Sequence, residues 1–258
     1  MTPALDFNSI MYHRWVSYHR AHKTITIVAI ANRDAPSHER AILQTASCVP
    51  FECKKLMIST SPPQNKEIAW VKDNDWGEGR KKFAGALGEW TLKKLVNYID
   101  TDAVIIVQTD GYAINKAAWT DEFFDYDYIG APFPLWLTIF MRGSMFRRVG
   151  GAGFSYRSKK FLETTSKMNY SPDLFWLEDI STSRIYHKEI EKLGCSFAPV
   201  DLALKWCIEY RLEDYPNWKL SDSFGWHGIN KKGIQFFRLS HFESFYGAAI
   251  RKLRGLKP

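Results

Sequence analysis

The sequence predicts an α/β protein with a mostly parallel central sheet flanked by helices, and three observations predict it. The run Ala103-Val104-Ile105-Ile106-Val107 is five apolar residues, four of them β-branched, the pattern of a strand covered on both faces. Between Thr24 and Val107 strand-like and helix-like segments alternate in the series β-α-β-β-α-β, which joins parallel strands through crossover helices. With 258 residues, 45% of them hydrophobic, the chain can bury a core of that size. The expected organisation is one domain over residues 1–258, with one half at about 24–115, a second at about 116–240 and a basic tail at 241–258.

Taken in order, the first 22 residues hold His13, Arg14, His19, Arg20 and His22 among aromatics and suggest a short lead-in helix. Thr24-Ile25-Thr26-Ile27-Val28-Ala29-Ile30 reads as the first strand, with Asn32-Arg33-Asp34 in the loop after it. A helix is expected next, with Ser37 as N-cap, running to about Ala46. Strands are expected at Lys55 to Thr60, stopped by Pro62-Pro63, and at Ile68 to Val71. Asp73 to Gly88 reads as loop and helix start, and Glu89 to Ile99 as a helix with Leu92, Leu95, Val96 and Ile99 on one face. Beyond the central strand, Tyr128-Ile129-Gly130 is strand-like and is stopped by Pro132. Leu135 to Arg148 carries Arg142, Arg147 and Arg148 and suggests a mobile loop near something anionic. Gly150-Gly151-Ala152-Gly153 is too glycine-dense for a strand interior, and a helix is expected from about Lys159. A strand at Ile234 to Leu239 and a basic amphipathic helix from Phe242 to Leu256 close the chain. That helix either packs on its own domain or lies on an anionic membrane surface.

Composition limits the partners. No run reaches the roughly 18 apolar residues of a membrane span, and Cys48, Cys53, Cys195 and Cys207 have no Cys-x-x-Cys spacing and follow no apolar leader, so the expected setting is a reducing cytoplasm. The net charge of +7 is compatible with nucleic acid, an anionic membrane or a phosphorylated substrate. Aromatic residues make up 15% of the chain, and some are expected on a binding surface, where flat rings with polar edges suit sugar or nucleotide faces.

Four constellations carry chemistry. Asp110 follows Gln108-Thr109 where the central strand leaves the sheet, the end at which ligands bind in open α/β folds, although Asp110-Gly111 is equally a turn dipeptide. The glycines at 150, 151 and 153 let backbone approach a ligand, but neither G-x-G-x-x-G spacing nor a Walker lysine is present, which sets aside hydride-transfer and P-loop readings. Glu178-Asp179 emerges from the aromatic stretch Phe175-Trp176-Leu177, where low dielectric raises a carboxyl pKa toward that of a general base; the same residues also suit a helix start. His227, in the loop-like stretch Ser223-Phe224-Gly225-Trp226-His227-Gly228, is free to reach a metal or a phosphate.

In that order, Val-Gln-Thr-Asp-Gly, Asp-Tyr-Ile-Gly-Ala-Pro, Val-Gly-Gly-Ala-Gly-Phe-Ser-Tyr-Arg-Ser, Trp-Leu-Glu-Asp-Ile and Phe-Gly-Trp-His-Gly resemble a microbial family of GT-A-type glycosyltransferases of polysaccharide and O-antigen contexts, over roughly residues 24 to 230. The resemblance implies a GT-A-like (Rossmann-like) domain in which 24–115 binds the nucleotide sugar and 116–240 is the acceptor and catalytic half. It puts Gln108-Thr109-Asp110 at the D-x-D position, with Gln in place of the first acid, as in that family's own Gln-x-Asp form. One carboxylate fewer gives weaker charge compensation for a divalent ion. By the same likeness Gly151 and Gly153 approach the donor, Glu178 and Asp179 supply the catalytic base, and Asp110 and His227 hold Mn²⁺ or Mg²⁺. Asn32, Arg33 and Arg147 join the donor site at its nucleoside and phosphates, and Trp176 and Trp226 stack on sugars.

The expected activity is therefore transfer of a hexosyl group, with inversion and metal assistance, from a nucleotide sugar of the UDP type to a glycan or lipid-linked glycan. The expected location is cytoplasmic, with peripheral membrane contact through the basic tail and no nucleic-acid partner. Two alternatives stand beside it: a non-catalytic nucleic-acid binder, suggested by the charge and the aromatics, and a glycan-binding module on the same fold, suggested by Gln108.

Overall fold

The computed structural model describes residues 23–31, 35–73, 80–140, 147–171 and 178–228. The expectations at residues 1–22, at Asn32, Arg33, Arg142 and Trp176, and at 229–258 lie outside the described residues.

The elements are β1 (Ile25–Ala31), α1 (Ala35–Cys48), β2 (Lys54–Ser59), β3 (Ala69–Lys72), α2 (Arg80–Glu89), β4 (Ala103–Val107), β5 (Gly111–Ala113), β6 (Tyr128–Pro132), α3 (Leu135–Phe140), β7 (Val149–Ser158), α4 (Lys159–Lys167), α5 (Glu178–Ile180), α6 (His187–Lys192), α7 (Val200–Trp206), β8 (Cys207–Ile208) and β9 (Gly225–His227). The main sheet has six strands in the order β3-β2-β1-β4-β7-β6. Strands β1, β2, β3 and β4 pair in parallel. β7 runs antiparallel to both β4 and β6, so the sheet is mostly parallel with one reversed strand. Both faces are covered, as the unbroken apolar runs require. Ile25, Ile27, Ala29, Ile105 and Val107 feed one buried cluster, and the alternate residues Val28, Ile30, Val104 and Ile106 feed the other.

Because the chain adds β2 and β3 on one side of β1 and then returns to place β4 on the other, the strand order reverses between β1 and β4. A crevice opens at the carboxyl ends of strands at such a point. The three-stranded sheet β5-β9-β8 begins there, since β5 leaves the tight turn after β4.

Four local expectations are corrected. The helix predicted over 89–99 is a π-helix at Trp90–Lys94 followed by a 3₁₀ turn at Leu95–Tyr98, although Leu92, Leu95 and Ile99 are buried as the pattern requires. The glycine run lies inside β7, because partners from remote parts of the chain fill the space its missing side chains leave. Part of the expected mobile loop is α3, opened by Pro134, whose carbonyl accepts from Leu137 and Thr138 at 3.1 and 3.3 Å. Arg148 is buried against Asp214. His227 stands on a paired strand, not in a loop. Among the described residues many aromatics pack in the core: Trp206 stacks on Phe154 at 4.8 Å and meets Phe123 edge-on at 5.0 Å.

Candidate active site

Gln108 and Gly111 exchange backbone hydrogen bonds of 2.8 and 3.1 Å, which makes Thr109-Asp110 the tip of a tight turn. The turn reading of Asp-Gly therefore holds, and the Asp110 carboxylate stands 59% exposed at the end of β4. Gly111 then pairs directly with His227 across β5 and β9. β8 runs parallel to β9 on its other side, and Glu209 is the first residue beyond it. The small sheet thus brings an imidazole and a second carboxylate to the acid that ends β4. His227 Nδ1 lies 3.2 Å from Glu209 Oε2, and its Nε2 lies 3.3 Å from Gln108 Oε1 and 3.9 Å from Asp110 Oδ1. Burial pushes the imidazole pKa down, but Glu209, by charge and hydrogen bond, and then Asp110 and Asp179 outweigh it and hold the group at about 9.

The glycines of β7 explain how these groups come so close. A Cβ at Gly153 would sit 1.9 Å from His227 Nε2, one at Gly151 would sit 2.5 Å from Glu209 Oε2, and one at Gly150 would sit 2.2 Å from Ser183 Oγ. Such separations are sterically forbidden, so the first two positions hold the imidazole and its carboxylate against the strand. The third seats the helical turn that follows the acidic pair, whose Ser183 hydroxyl donates to the Asp179 carbonyl at 2.5 Å.

Glu178 and Asp179 open α5, as the helix-start reading expected, yet they meet different surroundings. Glu178 Oε1 is 2.8 Å from Nη1 of Arg157, a fully buried guanidinium on β7 that also lies 5.3 Å from the centre of the Tyr128 ring. Among the described residues Asp179 has no such cation in contact, and its Oδ1 accepts from the Ile180 amide at 2.8 Å. Burial, then the charge of Glu178, raise its carboxyl to about 7; the Ile180 hydrogen bond opposes this, Glu209 adds to it, and His227 lowers it.

Of the residues singled out from sequence, Gln108, Asp110, Gly151, Gly153 and His227 come together, and Glu178 and Asp179 join them across β7. Arg147 is engaged elsewhere: its guanidinium pairs with Glu191 of α6 at 2.8 Å. Trp226 lies edge-on to Tyr112 at 5.3 Å and is partly exposed. Two residues of the site carried no expectation, Glu209 and Arg157. Glu209 had a signal, since Trp206-Cys207-Ile208-Glu209 repeats in miniature the apolar run ending in an acid that marks Asp110.

Among the described residues no three His, Cys, Asp or Glu side chains form a metal cluster. The donors present nevertheless fit part of a divalent-ion site. A carboxylate, an amide oxygen and an imidazole nitrogen face one another, and the other imidazole nitrogen faces Glu209, the outer contact that fixes a metal-ligating histidine. Oxygens of a phosphorylated ligand would have to complete the set.

A family model described as a protein of unknown function (DUF5672) matches residues 89–227, more than half of the chain and a span that holds the whole cluster. No curated protein matches the sequence. Among solved structures, the mannosyltransferase PcManGT from Pyrobaculum calidifontis in complex with GDP-Man and Mn²⁺ superposes with a TM-score of 0.50 at 9% identity, covering 95% of this chain and 72% of that one. The galactosyltransferase LgtC with donor and acceptor sugar analogs gives 0.48 at 13% identity, with 89% and 95% covered. A glycosyltransferase involved in glycosylation of the major capsid of PBCV-1 gives 0.47 at 14%, with 87% and 99% covered. At these identities the similarity is one of fold.

Proposed function

The chain belongs to the DUF5672 family, and from that premise, its fold and the gathered side chains we propose that it is a glycosyltransferase acting from a nucleotide-sugar donor on a hydroxyl of a glycan acceptor. One observation carries the reading. At the carboxyl end of β4, where the strand order reverses, an exposed acid and an imidazole stand near a separate buried acid whose pKa is close to neutral. Glycosyl transfer needs both functions: an anchor for a departing diphosphate and a base for the incoming hydroxyl. The fold likeness to a mannosyltransferase bound to GDP-Man and Mn²⁺ supports it.

In the proposed reaction Asp179 takes the proton of the acceptor hydroxyl. The acceptor oxygen forms a bond to the anomeric carbon as the bond to the diphosphate oxygen breaks, and the nucleoside diphosphate leaves with the electron pair. A single displacement of this kind inverts the anomeric centre. Glu178 is held by Arg157 and contributes negative charge beside Asp179. His227, fixed by Glu209 and Gly153, is aimed with Gln108 and Asp110 at the diphosphate. Mn²⁺ or Mg²⁺ held by Asp110 and by His227, whose imidazole would have to give up the proton that Glu209 favours, would supply charge neutralisation for the leaving group. Within this proposal the donor is a UDP-sugar and the acceptor a glycan or lipid-linked glycan.

The test is donor turnover. The protein is incubated with a panel of nucleotide sugars, UDP- and GDP-linked, with Mn²⁺, and released nucleoside diphosphate is measured. Turnover of at least one donor is expected, with losses of roughly 10²-fold or more in Asp110→Ala and His227→Ala. Full activity in both variants would reject the site. A nucleic-acid binder would instead show steeply salt-dependent oligonucleotide binding, and absence of binding at low salt disposes of it.

A further inference from the structure

We propose that Arg157 is a positioning residue that sorts the acidic pair, holding Glu178 as a permanent anion so that Asp179 alone exchanges a proton. The inference rests on the reading of Asp179 as the base, and it concerns a residue to which neither motif nor resemblance gave a role.

The geometry is asymmetric. Arg157 projects from β7 with its Nη1 2.8 Å from Glu178 Oε1, its Nε 3.3 Å from Ser155 Oγ, and the Tyr128 ring 5.3 Å away. The guanidinium is fully buried, and among the described residues neither Nη1 nor Nη2 has a partner in hydrogen-bond geometry, so the ion pair with Glu178 is what balances it. A buried cation so poorly satisfied depends on one carboxylate for its charge balance, so neutralising Glu178 would strand it. Asp179 sits one residue further on, and among the described residues no cation stands against its carboxylate. The charges it faces are Glu178 on its own turn, Glu209 beyond β8 and His227 on β9, with Tyr128 on β6 and Tyr170 sharing the same field. Two adjacent carboxyls in one dry site would otherwise share a proton and titrate as a pair. Fixing one of them as an ion makes the other the only group able to take a proton from an acceptor and give it up again.

The experiment follows carboxyl protonation directly, by infrared difference spectroscopy of the whole protein between pH 5 and pH 9, and needs no donor. With Arg157 in place, a protonated-carboxyl band titrating near neutrality is expected, and Asp179→Asn should abolish it. With Arg157→Met, the Asp179→Asn variant should regain one such band, from Glu178, and adding Glu178→Gln should remove it. Arg157→Lys, which keeps the charge, should restore the wild-type pattern. A near-neutral band that persists in Asp179→Asn with Arg157 intact overturns the proposal, as does its absence from Arg157→Met/Asp179→Asn. Should Arg157→Met fail to fold, Arg157→Gln, which removes the charge and keeps a polar side chain, takes its place in the same comparison. Turnover with no dependence on this titration defeats the sorting alone; a correct titration in a protein that turns over no nucleotide sugar defeats the proposed activity alone.

Discussion

Burying a carboxyl without a cation has a measurable effect at a single residue. Asp179 has a folded pKa of about 7 against an ordinary 3.8. A group raised in this way contributes stability that is fully present below its unfolded pKa and is lost as pH rises through the folded one. The native protein at pH 8 is therefore penalised for ionising Asp179, by up to about 4 kcal/mol at 1.4 kcal/mol per pKa unit. Asp179→Asn removes that penalty: denaturant melts should show it more stable than wild type at pH 8, with the gap closing toward pH 5, while turnover falls by roughly 10²-fold or more. Equal stability of the two proteins at pH 8 would refute the account of a dry, unpaired acid. In the proposed reaction this destabilising charge is what lets Asp179 act as the base.

Among the elements, β7 shows both what was legible in the sequence and what was not. The central strand, its terminal acid and the alternation of strands and helices were readable because they depend on local apolar pattern. The glycine run read against a strand because propensity is also local, whereas what completes β7 comes from afar: His227, Glu209 and Ser183 occupy the space of its absent side chains. Glu209 and Arg157 escaped for the same reason, since their meaning lies in contacts made across β8, β9 and α5. Two glycine substitutions separate the cases. Gly153→Ala would put a methyl 1.9 Å from His227 Nε2 and should expel the ring, with turnover falling by roughly 10²-fold or more, a loss of the size that removing one charge-stabilising group causes. Gly85→Ala, in α2 with nothing among the described residues within 4 Å of the added carbon, should leave turnover unchanged and raise stability by about 0.5–1 kcal/mol. Paired activity assays and thermal melts of the two variants test this, and an active Gly153→Ala would show that His227 needs no such seat.

For the whole molecule, a chain of net charge +7 gathers four of its 28 acids at the reversal point of its sheet. Asp110, Glu178, Asp179 and Glu209 share this one region, where Arg157 pairs with Glu178 and the His227 imidazole faces Glu209. A lone diphosphate would be repelled by the exposed Asp110; a diphosphate arriving with a divalent ion would not. Among the described residues no helix is long and apolar enough to cross a membrane. UDP or GDP with Mn²⁺ should raise the melting temperature, and either component alone should do so far less. At a hundredfold excess over Kd, linkage gives about 2.7 kcal/mol, roughly 5–10 °C for a protein of this size. Asp110→Ala should keep the unliganded melting temperature, because its side chain is exposed, and lose the metal-dependent increment. An equal shift from nucleotide without metal would move diphosphate binding from Asp110 to the basic side chains, and no shift with any nucleoside diphosphate would count against a nucleotide-sugar site.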